Sequence, residues 1–113
     1  MTTKSKKVRG RAGTDADAMT FLTELVGGAL TFATMMRSLR ECEDWTQKEM
    51  ARRLGLTTAH VCDIEQGRKS VSPSRAARFA KRLGYSERQF VRLALQDLLQ
   101  REGVRMKVTV QPA

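Results

Sequence analysis

A short run of small and polar residues has the chemistry to meet the edges of DNA base pairs. Thr57, Thr58 and Ala59 are followed by Asp63, which lies one helical turn further along the chain. In a major groove, threonine or alanine can contact a thymine methyl group, and aspartate can accept a hydrogen bond from cytosine N4. These positions hold no Gln, Asn or Arg, so this helix predicts no bidentate reading of adenine or guanine.

Two cations lie a short distance beyond this run. Arg68 and Lys69 come after Gly67, where the chain would leave the groove and pass the sugar-phosphate backbone. Contacts of Lys and Arg with phosphates position a protein on the duplex without reading its sequence. We therefore predict that Arg68 and Lys69 bind phosphates.

A first helix precedes the base-reading run, and its limits are marked by local signals. Thr46 can cap it, Glu49 can return a hydrogen bond to the Thr46 amide, and Trp45 can pack on Met50. Gly55 ends the helix, because glycine readily takes the left-handed geometry found after helices.

A second helix carries the base-reading residues. Thr57 caps it, and Leu56 can pack on Val61. Val61 and Ile64 point inward, and the opposite face is small and polar: Thr58, Ala59, Cys62, Asp63 and Gln66. Two short helices joined by a turn of about three residues form the layout of a helix-turn-helix.

This layout resembles the lambda-repressor and Cro class of helix-turn-helix proteins. The residues that carry the resemblance are Arg40, Thr46-Gln47, Glu49-Met50-Ala51, Leu54-Gly55, Ile64-Glu65 and Gly67-Arg68. The match is tight over about 25 residues and implies a five-helix bundle that extends loosely over residues 31–101.

The resemblance also implies a role for individual residues. Gln47 would touch a phosphate from the start of the first helix of the motif, and His60 would lie near the DNA backbone. Arg40 and Glu65 would form a buried structural ion pair between the opening helix of the bundle and the end of the recognition helix. The base edges would be met by Thr57, Thr58, Ala59 and Asp63.

The rest of the chain divides into segments of different character. We expect residues 1–14 to be a disordered basic arm, residues 15–28 an N-terminal helical extension, residues 29–103 the DNA-binding domain and residues 104–113 a C-terminal strand or tail. Further helices are predicted to start near Thr31, Ser72 and Ser86. The expected fold class is therefore all-α, a lambda-repressor-like helix-turn-helix bundle with an extra N-terminal helix and a short C-terminal β-strand.

The strand prediction comes from strict alternation of side chains after Gly103. Val104, Met106, Val108 and Val110 would share one face of it. No other segment has a strand pattern, and a single strand is unstable in water. It would therefore fray, or pair with a symmetry mate or a different partner chain.

Composition supports a nucleic-acid partner once the motif is considered. The chain has 21 Lys and Arg against 12 Asp and Glu, and its net charge is +9. The spacing of Cys42 and Cys62 fits no zinc or redox pattern, so neither a metal nor a cofactor is expected. No apolar run reaches the length of a signal or membrane-spanning segment, and we expect a cytoplasmic, nucleoid-associated protein.

Three functions from different classes remain. The first is a dimeric transcriptional regulator, a repressor that binds double-stranded DNA at a palindromic operator. The second is the antitoxin of a toxin-antitoxin pair that also represses its own operon. The third is a small enzyme, which has almost no support, because His60 is the single histidine and no phosphate loop or paired acid site is visible.

Overall fold

Five helices make up the part of the chain that the computed structural model describes, residues 30–113. They are α1 (Phe32–Cys42), α2 (Gln47–Leu54), α3 (Thr58–Glu65), α4 (Pro73–Leu83) and α5 (Glu87–Arg101). The predicted basic arm and N-terminal helical extension lie outside the described residues. The architecture is the helical bundle that the motif predicts.

Every one of these helices begins at a threonine or serine whose hydroxyl accepts a backbone N–H from the first turn. The caps are Thr31, Thr46, Thr57, Ser72 and Ser86. The predicted hydrogen bond from the Thr46 amide to the Glu49 side chain, which would complete a capping box, is wrong. The Glu49 carboxylate instead binds the side chains of Arg52 and Arg53, because two cations one turn away offer stronger partners than one amide.

All five helices contribute side chains to the core. Helix α4 packs most extensively along α5, while α2 packs on α3 and α1 contacts both α3 and α5. Phe90 is fully buried, and the ring of Phe32 meets it edge-on at a centroid distance of 5.9 Å. The largest fully buried side chains are Phe90, Met35, Met36, Leu39, Met50, Ile64, Leu93 and Val61. The outward sides of α2 and α3 remain free for other contacts.

Helix α1 is tied to α5 by a capping contact from outside its own sequence. The backbone N–H of Phe32 donates to Oδ2 of Asp97 across 3.1 Å. Burial raises the pKa of the Asp97 carboxyl, although this N–H and the charge of Arg101 both act to lower it. The start of α1 thus depends on a half-buried acid of α5.

The turn between α2 and α3 depends on Gly55. Its φ is +71°, and a Cβ atom built at this position would lie 2.9 Å from Nη1 of Arg82 in α4. The left-handed backbone favours glycine here, whereas the tip of the flexible Arg82 side chain could move away from a Cβ atom. The turn therefore has the short geometry that a helix-turn-helix requires.

The predicted C-terminal β-strand is wrong. No strand occurs among residues 30–113, and residues 104–113 have no regular secondary structure. The Gln96 side chain of α5 donates to the carbonyl of Met106 and accepts the N–H of Val108, each across 2.8 Å. One side-chain amide thus provides the donor and acceptor that a neighbouring strand would have supplied.

The alternating tail residues also do not share one environment. Val104 and Met106 are 37% and 69% exposed, whereas Val108 and Val110 are half-buried. The alternation of apolar residues therefore does not mark a strand. Only Val108 and Val110 lie partly against the domain. None of the described helices is both long enough and apolar enough to cross a membrane.

Candidate nucleic-acid interface

Helix α3 presents a small polar face to solvent because its apolar side is held in the core. Val61 is fully buried and Ile64 is nearly so. On the other side, Thr58 and Ala59 are exposed, and the N-cap Thr57 is exposed as well. The predicted base-reading residues at the start of α3 are therefore accessible to a groove.

The other predicted DNA contacts of α3 are less exposed. His60 and Asp63 are half-buried, and the side chain of Asp63 keeps 29% of its exposure. The hydroxyl of Thr57 accepts the backbone N–H of His60 across 3.0 Å. Its own hydrogen is not used in that bond, so Thr57 can cap the helix and donate to DNA at once.

Asp63 and Arg68 are joined in an ion pair at the end of α3. Nε of Arg68 donates to Oδ1 of Asp63 across 2.9 Å, and Nη2 lies 3.7 Å from Sγ of Cys62. The backbone N–H groups of Arg68 and Lys69 also donate to the carbonyl of Asp63. The hydrogen bond between the Arg68 and Asp63 side chains raises the pKa of the Arg68 guanidinium.

The reversal that allows this pairing occurs at Gly67, whose φ is +79°. It brings the chain back over the last turn of α3, so that the Arg68 side chain covers Asp63. The two residues were predicted to have separate roles, one with a base and one with a phosphate. The pairing was missed because it depends on how the loop folds back, although the spacing of the two charges around a glycine is visible in the sequence.

The structure brings Arg40 and Glu65 together. Nε and Nη2 of Arg40 donate to the two carboxylate oxygens of Glu65 across 2.8 and 3.2 Å, and the Glu65 side chain is 2% exposed. Nη1 of Arg40 donates to the carbonyl of Trp45. The pair links α1, the segment before α2 and the end of α3.

Gln47 is the second partner of Glu65. Its Nε2 donates to Oε1 of Glu65 across 3.1 Å, and its side chain is half-buried. In this structure Gln47 therefore fixes the start of α2 against the end of α3. A contact with phosphate would have to use the second N–H of the same Nε2, because the amide oxygen can only accept.

The outward side of α2 carries three cations in different states. Arg52 and Arg53 both bind Glu49, and the guanidinium of Arg53 lies 4.1 Å from the centre of the Trp45 ring. The hydrogen bond from Arg52 holds the pKa of Glu49 below its usual value. Lys48 is exposed and has no acidic partner within the described part of the chain, so it is available to a phosphate.

Comparison with a known protein family agrees with this geometry. The family model described as a helix-turn-helix domain matches residues 31–93, from the cap of α1 into α5. The crystal structure of a hypothetical transcription factor, NHTF, from Neisseria is similar at 31% sequence identity; the match covers 63% of this chain and 79% of that chain, with a TM-score of 0.48. No curated protein matches the sequence. Because the family model spans more than half of the chain and includes the whole α2–turn–α3 unit, the chain belongs to the helix-turn-helix domain family, as a member of the lambda-repressor and Cro type.

Proposed function

We propose that this protein is a sequence-specific regulator of transcription, a repressor that binds double-stranded DNA as a dimer at a palindromic operator. The observation that carries the proposal is the exposed polar face of α3, which begins with Thr57, Thr58 and Ala59. A recognition helix must be both accessible and rigidly held. The buried Arg40–Glu65 pair supports the second condition, because it fixes the end of α3 to the rest of the domain.

In the proposed complex, α3 lies in the major groove and its first turn meets the base edges. Thr58 and Ala59 contact bases directly, and the free hydroxyl hydrogen of Thr57 donates to a base or phosphate. Lys48 and Lys69 bind phosphates on either side of the groove, with Gln47 and His60 close to the backbone. Such a protein acts in the cytoplasm on the chromosome, and its net charge of +9 favours that partner.

The dimer is proposed from apolar side chains at the end of α5 and just after it. Leu98, Val104 and Met106 are the large hydrophobic residues that stay exposed among residues 30–113, at 44%, 37% and 69%. Two-fold packing of this surface would remove it from water. If the two α3 helices then lie about 34–36 Å apart, they match two half-sites one DNA turn apart.

Selection of bound sequences from random duplexes by the purified full chain tests the proposal. Enrichment of one palindrome, with half-sites about one helical turn apart, is the expected result. Enrichment of a single half-site would support sequence-specific DNA binding but reject the proposed dimer. Binding without any enriched sequence would remove sequence-specific regulation.

The exposed apolar surface also favours a second candidate, the antitoxin of a toxin-antitoxin pair that represses its own operon. In that case Leu98, Val104 and Met106 would pack against a toxin rather than a second copy. Co-expression with the product of the neighbouring gene distinguishes the two. A stable complex formed by the wild type and lost in Met106→Gln supports the antitoxin, and a homodimer that ignores the neighbour supports the repressor alone.

A further inference from the structure

The Asp63–Arg68 pair changes what the recognition face can offer to DNA. Asp63 is at a base-facing position of α3, where a carboxylate without a partner would meet the negative potential of the duplex. Arg68 neutralises it through the 2.9 Å bond from Nε to Oδ1. The outward face of α3 therefore does not present an isolated negative charge to the groove.

The pairing leaves much of the Arg68 guanidinium unused. An arginine has five N–H donors in a planar fork. Asp63 takes the Nε donor, and Nη2 is near Sγ of Cys62. Nη1 has no acceptor in the described part of the chain, and the side chain remains 59% exposed.

The held guanidinium is also limited in orientation. The backbone N–H of Arg68 donates to the carbonyl of Asp63 across 2.8 Å, so the main chain and the side chain are both anchored to the same residue. A fork fixed in this way beside a recognition helix has little conformational freedom left to lose on binding. A phosphate contact would require no such fixed plane, because a phosphate accepts from many directions.

We propose that Arg68, held in place by Asp63, reads a guanine in the major groove by donating from Nη1 and from the second N–H of Nη2 to O6 and N7. This rests on the proposed function. Guanine is the base that offers two acceptors side by side in that groove, and a planar bidentate donor matches them. Asp63 is then a positioning residue that acts through Arg68, and Lys69 remains a phosphate contact.

The experiment compares five full-length proteins: the wild type, Arg68→Ala, Arg68→Lys, Asp63→Ala and, as a matched control, Lys69→Ala. Duplexes selected by the wild type from random sequence are used as the probe. A second probe carries 7-deazaguanine at one selected guanine at a time, which removes N7 and leaves the pairing intact. Binding is measured on both probes at several salt concentrations, and circular dichroism verifies that each variant keeps its helices.

At one guanine of each half-site, we expect the wild type to lose affinity on the 7-deazaguanine probe. The full bidentate contact is worth about 5- to 150-fold in base discrimination. Arg68→Ala and Asp63→Ala should each bind the two probes almost equally. Arg68→Lys should keep only part of the discrimination, because its ammonium can still donate to N7 but is not a planar fork. Lys69→Ala should weaken binding to both probes by the same factor and lower the salt slope by about one unit, while it keeps the discrimination.

Two results would overturn the inference. One is an Arg68→Ala variant that loses affinity equally on both probes and has a lower salt slope, since that is the behaviour of a phosphate contact. The other is an Asp63→Ala variant that binds every duplex more tightly and still distinguishes guanine from 7-deazaguanine. Arg68 would then not need Asp63 to be positioned. A wild type that selects sequences without guanine rejects the role of Arg68 alone, whereas a wild type that selects no sequence rejects the proposed function and the inference together.

Discussion

Arg40 of α1 and Glu65 of α3 form a two-point ion pair in which the carboxylate is almost completely buried, with N–O distances of 2.8 and 3.2 Å. Glu65 accepts a further hydrogen bond from Gln47. The charge of Glu65 is therefore satisfied by side chains from two other helices. The position of α3, and with it the proposed DNA-reading face, depends on this contact.

Replacing Arg40 alone should strongly destabilise the fold. Arg40→Met leaves the Glu65 carboxylate buried without its cation, and we expect the free energy of unfolding to fall by about 3–5 kcal/mol. Urea denaturation followed by circular dichroism measures this loss. The double variant Arg40→Met/Glu65→Met should recover most of it, since two apolar side chains carry no uncompensated charge.

A second arginine of the same helix provides the control. Arg37 lies 3.9 Å from Glu41, and both side chains are more than half exposed. Arg37→Met should change stability by less than about 1 kcal/mol, because water already screens an exposed pair. Equal losses of unfolding free energy in Arg37→Met and Arg40→Met would contradict the idea that burial makes the Arg40–Glu65 pair important.

Contacts between residues close in the chain could be predicted from the sequence more readily than contacts between distant ones. The starts of α2 and α3 follow from Thr46 and Thr57, since capping involves residues three apart in the chain. The contact between Asp97 and Phe32 has no such local signal, because the two are 65 positions apart. Local rules predicted the helices and the family resemblance implied the Arg40–Glu65 pair, whereas only the structure revealed the contact between Phe32 and Asp97.

Asp97 should make stability depend on pH. Its pKa is raised above the ordinary 3.8 by burial, so the folded protein keeps this proton at a higher pH than the unfolded chain does. As the pH rises from about 3.8 through the raised value, the wild type loses stability from this site. Asp97→Asn, which still offers an acceptor to Phe32, should be at least as stable as the wild type at pH 7.

Urea denaturation of both proteins between pH 4 and pH 7 measures the effect. The advantage of Asp97→Asn should shrink as the pH falls, because the wild-type carboxyl then also becomes neutral. Asp97→Ala is the control for the hydrogen bond, and it should be about 1 kcal/mol less stable than Asp97→Asn at every pH, because neither side chain titrates. An advantage for Asp97→Asn that grew toward acid pH would have the wrong sign and would reject this account.

The turn glycine of the motif should tolerate a methyl group poorly for reasons of backbone conformation. Gly55 and Gly84 have φ values of +71° and +81°, and each ends a helix. We expect Gly55→Ala and Gly84→Ala each to lose about 1–2 kcal/mol of unfolding free energy, because an L-residue is disfavoured in this region. Thermal or urea denaturation provides the comparison.

Their surroundings make the two glycines a matched pair. A Cβ at Gly55 would lie 2.9 Å from the tip of Arg82, while a Cβ at Gly84 would have no neighbour within 4 Å. Because that tip can swing aside, the two losses should be similar. A much larger loss in Gly55→Ala, restored by Arg82→Ala, would mean instead that Arg82 is fixed against the turn.

The residues of the proposed DNA-reading face were easier to locate on α3 than to assign to individual contacts. Thr58 and Ala59 are exposed, as the pattern of α3 indicates. Asp63 and Arg68 could be recognised as charged residues near that face, but their pairing depends on the chain reversal at Gly67. The sequence therefore predicts which residues lie on the proposed interface, and the loop geometry decides which hydrogen-bond donors each one keeps free.

The exposed apolar surface at the end of α5 should determine the oligomeric state. Ending the chain after Gly103 removes Val104 and Met106 but leaves all five described helices. We expect the truncated protein to remain folded and to shift toward monomer in sedimentation. Operator affinity should fall with it, because a monomer holds only one half-site at a time.

Single substitutions separate the apolar surface from the tail as a whole. Leu98→Gln and Met106→Gln should each weaken the dimer, since each places a polar group where a 44% or 69% exposed apolar side chain would be buried. Gln100→Ala, an exposed residue of the same helix, should leave it unchanged. The proposed surface would be rejected if the truncated chain and both variants sediment as the same dimer as the wild type, because other helices would then form the interface.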